Sequence, residues 1–324
     1  MPNNSDFRVI FMGTPEFAVA SLKALLDAGM NIVAVVTAPD KPAGRGQKVQ
    51  ETDVKKFAKN LDIPILQPDK LKNTEFLGKL QSLQADLNIV VAFRMLPELV
   101  WSMPRLGTIN LHASLLPQYR GAAPINWAIM NGESITGVTT FFIEKEIDTG
   151  KIIFSEKVEI TDNDTAGSLH DKLMNVGANL LVKTAVSIWD NNYNMASQHT
   201  EATTTSLKTA PKIFKEDCKI HWNHSLDNIY NFVRGLSPYP AAWTVLSNIE
   251  NDQKLSVKIF ETQKEEINHG LIHGTLISDE KKFVKVAVNG GYLSLKTIQV
   301  EGKKRLEIEE FLRGFKNIQS YRVE

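Results

Sequence analysis

The chain has 324 residues, 43% of them hydrophobic and 23% charged, and its 37 Lys and Arg balance its 37 Asp and Glu. That length suggests about two domains, and the composition is that of a soluble globular chain with ample material for a core. A net charge of zero excludes bulk attraction to nucleic acid or membrane, so any polyanion must be met by a local patch.

The single cysteine, Cys218, rules out an internal disulfide and suits a reducing compartment. It lies in a charged stretch, KEDCKIHW, and reads as an ordinary thiol, not a nucleophile. The opening MPNNSDFRVIF has neither the basic start nor the apolar run of a secretory signal, and it is not Arg-rich like a transit peptide. No apolar stretch approaches the ~20 residues needed to span a bilayer. A cytoplasmic protein without membrane contact is expected.

In chain order, Arg8 to Gly13 (RVIFMG) is an apolar run ending in Gly, the pattern of a buried strand. Pro15 opens a helix, EFAVASLKALLDAG, which closes at Gly29. A second apolar run, Asn31 to Thr37, completes a βαβ start and predicts a right-handed crossover in a parallel sheet. The first turn reads GTPEFA, not GxGxxG, and no GxxxxGK[ST] occurs. Dinucleotides and nucleoside triphosphates are therefore rejected as ligands. Ala38 to Gln50 (APDKPAGRGQKVQ) carries two prolines, two glycines, Lys41, Arg45 and Lys48. Its Pro and Gly predict an irregular loop, either a solvated connector or a basic strap for a phosphate backbone.

Helices are predicted over Thr52–Leu61 and Asn73–Leu83, with a short strand at Pro64–Gln67 between them and a strong buried strand at Asp86–Phe93. The last ends in a loop, residues 94 to 97, at the C-terminal edge of the sheet. Then comes GTINLHASLLPQYRGAAPINWA, residues 107 to 128: a strand, an irregular turn, and a helix from Ala123 or Pro124. Strands are also expected at Gly137–Lys145 and Lys151–Ile160, with Asp148 on the EIDTG turn between them. A long helix follows over Thr165–Trp189, capped by Asp164 or Thr165. Apolar periodicity then vanishes in DNNYNMASQHTEATTTSLKTAPK. The predicted division is a catalytic domain at 1–189, a linker at 190–208 and a second domain at 209–324. In that second domain a helix at Ser225–Leu236 precedes short alternating segments at 242–246, 255–261, 270–277, 284–288 and 292–300, the signature of a small β-barrel. Lysines dot this part, but its net charge is only +2, against −2 for the part before it. The fold class is α/β, a Rossmann-like mostly parallel sheet followed by the barrel.

The chemistry concentrates at Asn110, His112 and Asp148. Asn110 and His112 are two apart on one strand and share a face. They sit at a strand's C-terminal end, where open α/β sheets bind ligands. A carboxylate beside an imidazole fixes its tautomer and raises its basicity. An amide and an imidazolium together can hold an oxyanion. Ser114 lacks a GxSxG elbow, no other nucleophile with an obvious base is present, and no HExxH or CxxC suggests a metal. This favours acyl or one-carbon transfer in which a substrate supplies the nucleophile.

Asn110, His112, Ser114–Leu115–Leu116–Pro117 and Asp148 in a D-x-G turn resemble the catalytic core of the 10-formyltetrahydrofolate-dependent formyltransferases. GTPEFA at 13–18, KPAGRGQK at 41–48, YRGAAPINWAI at 119–129 and RGLSPYPAAW at 234–243 resemble the methionyl-tRNA branch of that family, and the likeness runs essentially the whole length. It implies that Asn110, His112 and Asp148 are catalytic and that the second domain is an OB-type barrel. It also implies that Lys41, Arg45 and Lys48 meet the acceptor arm of initiator methionyl-tRNA. The co-substrate would be 10-formyltetrahydrofolate, its pterin lying between Phe93, Arg94, Met95 and Leu96 and the Ser114–Pro117 turn. The protein is expected to work as a metal-free monomer. One departure is AFRMLP at 92–97, where many members have a Tyr-Gly version of the loop. Main-chain contacts to the pterin would survive that change. Arg120 reads equally as a clamp on a carboxylate or as a substrate contact. The other histidines, His170, His199, His221, His224, His269 and His273, read as surface or core residues.

Two rivals remain at this stage. A sugar-nucleotide amine N-formyltransferase would keep the core and change the acceptor. A non-catalytic RNA-binding protein on the same scaffold would have no use for an intact Asn, His and Asp.

Overall fold

The structure, a computed structural model, describes residues 6–43, 48–198, 206–251 and 253–324, with the backbone alone at 42, 43 and 48. The chain opens as β1 (Arg8–Gly13), α1 (Glu16–Asp27) and β2 (Asn31–Val36), then β3 (Lys41–Ala43) and β4 (Lys48–Gln50). Next come α2 (Asp53–Lys59), β5 (Ile65–Leu66), α3 (Thr74–Ser82), β6 (Leu87–Val91), α4 (Glu98–Trp101) and β7 (Thr108–His112). The sequence continues through β8 (Arg120–Gly121), α5 (Pro124–Met130), β9 (Ile135–Phe142), β10 (Ile152–Glu159), α6 (Ala166–Trp189) and β11 (Thr209–Ala210). The remainder is α7 (Leu226–Leu236), β12 (Ala242–Asn248), β13 (Lys254–Glu266), β14 (Leu276–Ser278), β15 (Val284–Val288), β16 (Gly291–Val300), β17 (Arg305–Glu307), α8 (Ile308–Gly314) and β18 (Tyr321–Val323).

Two compact units result, one of residues 1–121, 136–158 and 170–209, the other of 122–135, 159–169 and 210–324. The first holds a seven-stranded sheet in the order β10-β9-β7-β6-β1-β2-β5. β1 pairs in parallel with β2 and β6, β2 with β5, and β6 with β7, while β9 runs antiparallel to β7. The chain order thus reverses between β1 and β6, the switch point where such sheets leave a crevice. The parallel strands are apolar on both faces: Val9, Phe11, Leu87, Ile89 and Ile109 on one and Ile10, Met12 and Val90 on the other are all buried. α6 lies on β7 closely enough that a Cβ on its Gly177 would touch Leu111. Helix starts follow their caps, with Thr52 accepting from the amide of Lys55 at 3.1 Å and Asn73 from that of Phe76 at 3.1 Å. Thr165, not Asp164, caps α6, its hydroxyl accepting from the Ser168 amide at 3.2 Å.

The second unit carries an antiparallel sheet in the order β14-β15-β16-β13-β12-β18, with β17 on β16. A bridge between Thr275 and Arg322 nearly joins its first and last strands into a barrel. Alternate residues of β12 and β13, such as Leu246, Val257 and Ile259, enter its core with Leu226, Ile229 and Val233 from α7. Cys218 is buried there, and its burial pushes the thiol pKa up.

Three expectations change. The described part of the 38–50 segment is not wholly irregular: β3 and β4 form an antiparallel ribbon pairing Lys41 with Gln50 and Ala43 with Lys48, while residues 44–47 lie outside the described residues. Pro42 is tolerated because a two-stranded ribbon is all edge. Lys55 of α2 anchors its base by pairing Asp40, an attachment that holds the Asp40 carboxyl below its usual range. Second, residues 190–198 and 206–209 belong to the first unit and do not form a free linker. Ala196 bridges to Ile152, and Lys208 bonds Tyr119 and Gln118. The middle of that stretch, 199–205, lies outside the described residues. Third, residues 270–275 form no strand, and α8 and β18 had no periodic signal long enough to find.

At the N-terminal ends of the central strands β1 and β6, Asp86 accepts from the Arg8 amide at 2.8 Å and from Arg105 Nε at 2.6 Å. Asp86→Ala should destabilise the protein by about 1–3 kcal/mol through the orphaned amide. Urea unfolding checks this, and activity per folded molecule should stay unchanged.

Candidate active site

The site is built at the C-terminal ends of β6 and β7. β7 is fixed on both sides, Asn110 pairing with Val90 of β6 and Phe141 of β9, and His112 with Thr139. Asn110 and His112 therefore point the same way from a strand that cannot shift register. Among the described residues the Asn110 side-chain amide makes no hydrogen bond, so its N–H groups are open for a ligand.

His112 is 6% exposed and its Nε2 lies 2.9 Å from the carbonyl oxygen of Tyr119. A carbonyl only accepts, so Nε2 carries the hydrogen and any proton exchange falls to Nδ1. Nδ1 faces Asp148 Oδ2 at 3.8 Å. That is beyond hydrogen-bond range. The ring's direct orienting partner is thus the Tyr119 carbonyl rather than the expected carboxylate. Asp148 Oδ2 accepts instead from the Gly121 amide at 3.0 Å. Ala92 (φ 46°), Tyr119 (φ 59°) and Asp148 (φ 55°) all adopt the left-handed region. Such conformations cost about 1–3 kcal/mol each and cluster where backbone is held for function.

The Ser114–Pro117 turn is stapled by Thr139, whose hydroxyl donates to the Ser114 carbonyl at 2.7 Å and accepts from the Leu116 amide at 3.2 Å. Ser114 itself is 0% exposed, its hydroxyl donating to the Gln118 carbonyl at 2.6 Å. It shapes the turn expected to meet the folate. Leu115 and Pro117 keep partial exposure, and Leu116 is buried. In the facing loop Leu96 is core, Phe93 and Arg94 are half-buried and Met95 is 73% exposed. Arg94 donates through its guanidinium to two carbonyls, that of Asp69 at 2.9 Å and that of Pro68. Its guanidinium replaces nothing a glycine would have offered at the backbone.

Lys41, Phe93 and Arg94 share a cleft of about 450 Å³ with Thr14, Asp40 and Asp69, at the switch point of the sheet. Lys41 is exposed. Arg45 and the Lys48 side chain lie outside the described residues.

One residue escaped sequence reasoning. Gln198 is 6% exposed and accepts from Arg120 Nε at 3.1 Å and from a terminal Arg120 nitrogen at 2.7 Å. Its amide nitrogen donates to the carbonyls of Asp148 at 3.0 Å and Gly150 at 2.6 Å. Arg120 thus clamps an amide, where a carboxylate clamp and a substrate contact are equally expected from the sequence. Gln198 had no signal, being one polar residue in a polar run.

An open α/β sheet with an amide and an imidazole at one strand end and a carboxylate facing the imidazole from a turn is an arrangement suited to group transfer between two bound substrates. Comparison with known proteins narrows this. The formyl transferase family model matches residues 7–185, and the formyl transferase C-terminal domain model matches 212–316. The chain is 51% identical over 318 residues to a methionyl-tRNA formyltransferase of Bacteroides fragilis, covering 98% of both. It is 52% identical over 320 residues to one of Parabacteroides distasonis, again covering 98% of both. Among solved structures, an N-formyltransferase of Helicobacter canadensis in complex with folinic acid and dTDP-3-aminofucose matches with TM-score 0.62 at 20% identity, over 92% of this chain and 99% of that one. HypX from Aquifex aeolicus in complex with tetrahydrofolic acid matches with TM-score 0.61 at 18% identity, over 94% and 46%. At those identities the solved structures share the fold. The chain belongs to the formyl transferase family.

Gly150 completes the D-x-G turn because a Cβ there would lie 1.7 Å from the Phe142 carbonyl oxygen. Gly150→Ala should cost about 1–3 kcal/mol by forcing backbone apart. Thermal unfolding reads the cost, and amide exchange should rise locally around residues 146–150.

Proposed function

We propose that this protein transfers the formyl group of 10-formyltetrahydrofolate to the α-amine of methionine on initiator methionyl-tRNA, as a metal-free monomer in the cytoplasm. The acceptor assignment is carried by one observation: about half-identity to methionyl-tRNA formyltransferases over 98% of the chain, both domains included. The sugar-amine alternative has support only from structures at about one-fifth identity, such as the dTDP-3-aminofucose complex.

In this reading the amine lone pair attacks the formyl carbon, the new C–N bond forms, and the carbonyl electrons move onto oxygen. The open Asn110 amide and a protonated His112 Nδ1 donate to that oxyanion. His112 can do so without losing its orientation, because Nε2 stays on the Tyr119 carbonyl. Asp148 Oδ1 makes no hydrogen bond among the described residues, so it can take the proton the attacking amine releases. That proton reaches the folate nitrogen as the old C–N bond breaks, closing the balance of atoms and charge. Holding both substrates in line supplies much of the acceleration. The pterin rests on the backbone of 93–96 and on Leu115 and Pro117. The tRNA acceptor arm lies along the ribbon bearing Lys41, Arg45 and Lys48.

Labelled formyl transfer to methionyl-tRNA against an amino-sugar nucleotide decides the acceptor, and turnover of the sugar alone would refute the assignment. His112→Ala should lower kcat by about 10²–10³ at saturating substrates, the usual cost of an oxyanion donor. Activity within a few-fold of wild type would remove His112 from the chemistry. Lys41→Glu should weaken binding of charged tRNA and flatten its dependence on salt, as measured by filter binding from 50 to 200 mM salt.

A further inference from the structure

We infer that Gln198 is a positioning residue for the transfer reaction, a latch that fixes Asp148 opposite His112 by tying the Asp148 turn to the 119–121 strand. This rests on the reaction proposed above.

The argument starts from what each catalytic group leans on. His112 leans on the carbonyl of Tyr119 and Asp148 on the amide of Gly121. Both supports belong to one three-residue segment whose middle residue is Arg120. The Arg120 side chain is held by Gln198 Oε1 through two donors. The other end of the same amide holds the two carbonyls that flank Thr149, those of Asp148 and Gly150. One side chain therefore joins the strip that supports both groups to the turn that carries one of them. The turn has no regular structure of its own, and Asp148 sits in a left-handed conformation that something must hold.

A primary amide is the group this geometry calls for. It needs an acceptor toward Arg120 and two donors toward the turn, and among side chains only Asn and Gln present both on one planar head. Asn is one methylene shorter. Glu would keep the acceptor, even improve it for a guanidinium, but would present an oxygen to two carbonyl oxygens. Met would keep the shape and lose every hydrogen bond. The 6% exposure leaves no route for bulk water to replace those bonds without opening the turn.

The test is a pair of variants measured for kcat and KM. Gln198→Met should lower kcat about 10–100-fold with KM for both substrates within about three-fold. Gln198→Glu should lose as much kcat as Gln198→Met although it keeps the contact with Arg120, which shows that the donors to the turn matter. In an Asp148→Ala background Gln198→Met should add less than two-fold, because residues acting through one group are not additive. A kcat within two-fold of wild type for Gln198→Met, or a full additional loss in the Asp148→Ala background, would overturn the inference. Amide exchange reads the latch without turnover: in Gln198→Met the Gly121 amide should exchange at least ten-fold faster while those of β6 and β7 keep their rates. Unchanged exchange at Gly121 would also overturn it. The wild-type transfer assay tests the proposed reaction separately, so the two readings fail independently.

Discussion

The bond from His112 Nε2 to the Tyr119 carbonyl is the constraint on which the rest of the site depends. A histidine at a strand end has two nitrogens and several rotamers. Chemistry needs one nitrogen, in one place, able to gain and lose a proton. Giving Nε2 to a main-chain acceptor fixes which nitrogen is left over and where it points, because a carbonyl never donates. The demand then passes to Tyr119, whose carbonyl must turn inward from a left-handed residue. Its amide is secured by the Lys208 carbonyl at 2.7 Å, and the strand that follows pairs with β11. The polar stretch after α6 is therefore part of the machinery that aims the imidazole.

This explains why some of the molecule could be read from sequence and some could not. β1, α1, β2, β6 and β7 announce themselves through local physics: continuous apolar runs, a Pro at the helix start, a Gly at its end. Asn110 and His112 were legible because a strand's period of two fixes which residues share a face. Asp148 was legible only through the D-x-G resemblance. Its position relative to His112 is set by hydrogen bonds between segments distant in sequence. Gln198 and the Tyr119 carbonyl belong entirely to that second kind. One is a lone amide in an Asn-, Ser- and Thr-rich run, and the other is a backbone group that no side-chain pattern encodes. The β3–β4 ribbon failed for a related reason, since propensity speaks against Pro42 in a sheet but says nothing about a ribbon with two free edges.

The comparisons divide along the same line. Proteins at about one-fifth identity keep the fold, whereas those at about one-half carry the same name across both domains. A sheet edge that presents an amide, an imidazole and a carboxylate is indifferent to what brings the amine. The acceptor must be chosen by surfaces outside that edge. The ribbon bearing Lys41 is one such surface, whereas the second unit, with 17 Lys and Arg against 19 Asp and Glu, has no excess of basic residues.

The loop at 93–96 shows how such a site tolerates change. In that loop this chain has Arg94, a large cation at the wall of the crevice. Its guanidinium reaches the Asp69 and Pro68 carbonyls beyond the end of β5 and lies 5.6 Å from the centre of the Phe93 ring. Those carbonyls close a connection that a short two-residue strand could hardly hold alone. Arg94 thus ties the 93–96 loop to the segment after β5 while still lining the cleft between them. A recognition surface made of main chain can accept almost any residue whose side chain finds employment elsewhere. That is why a departure in the motif need not be a departure in chemistry.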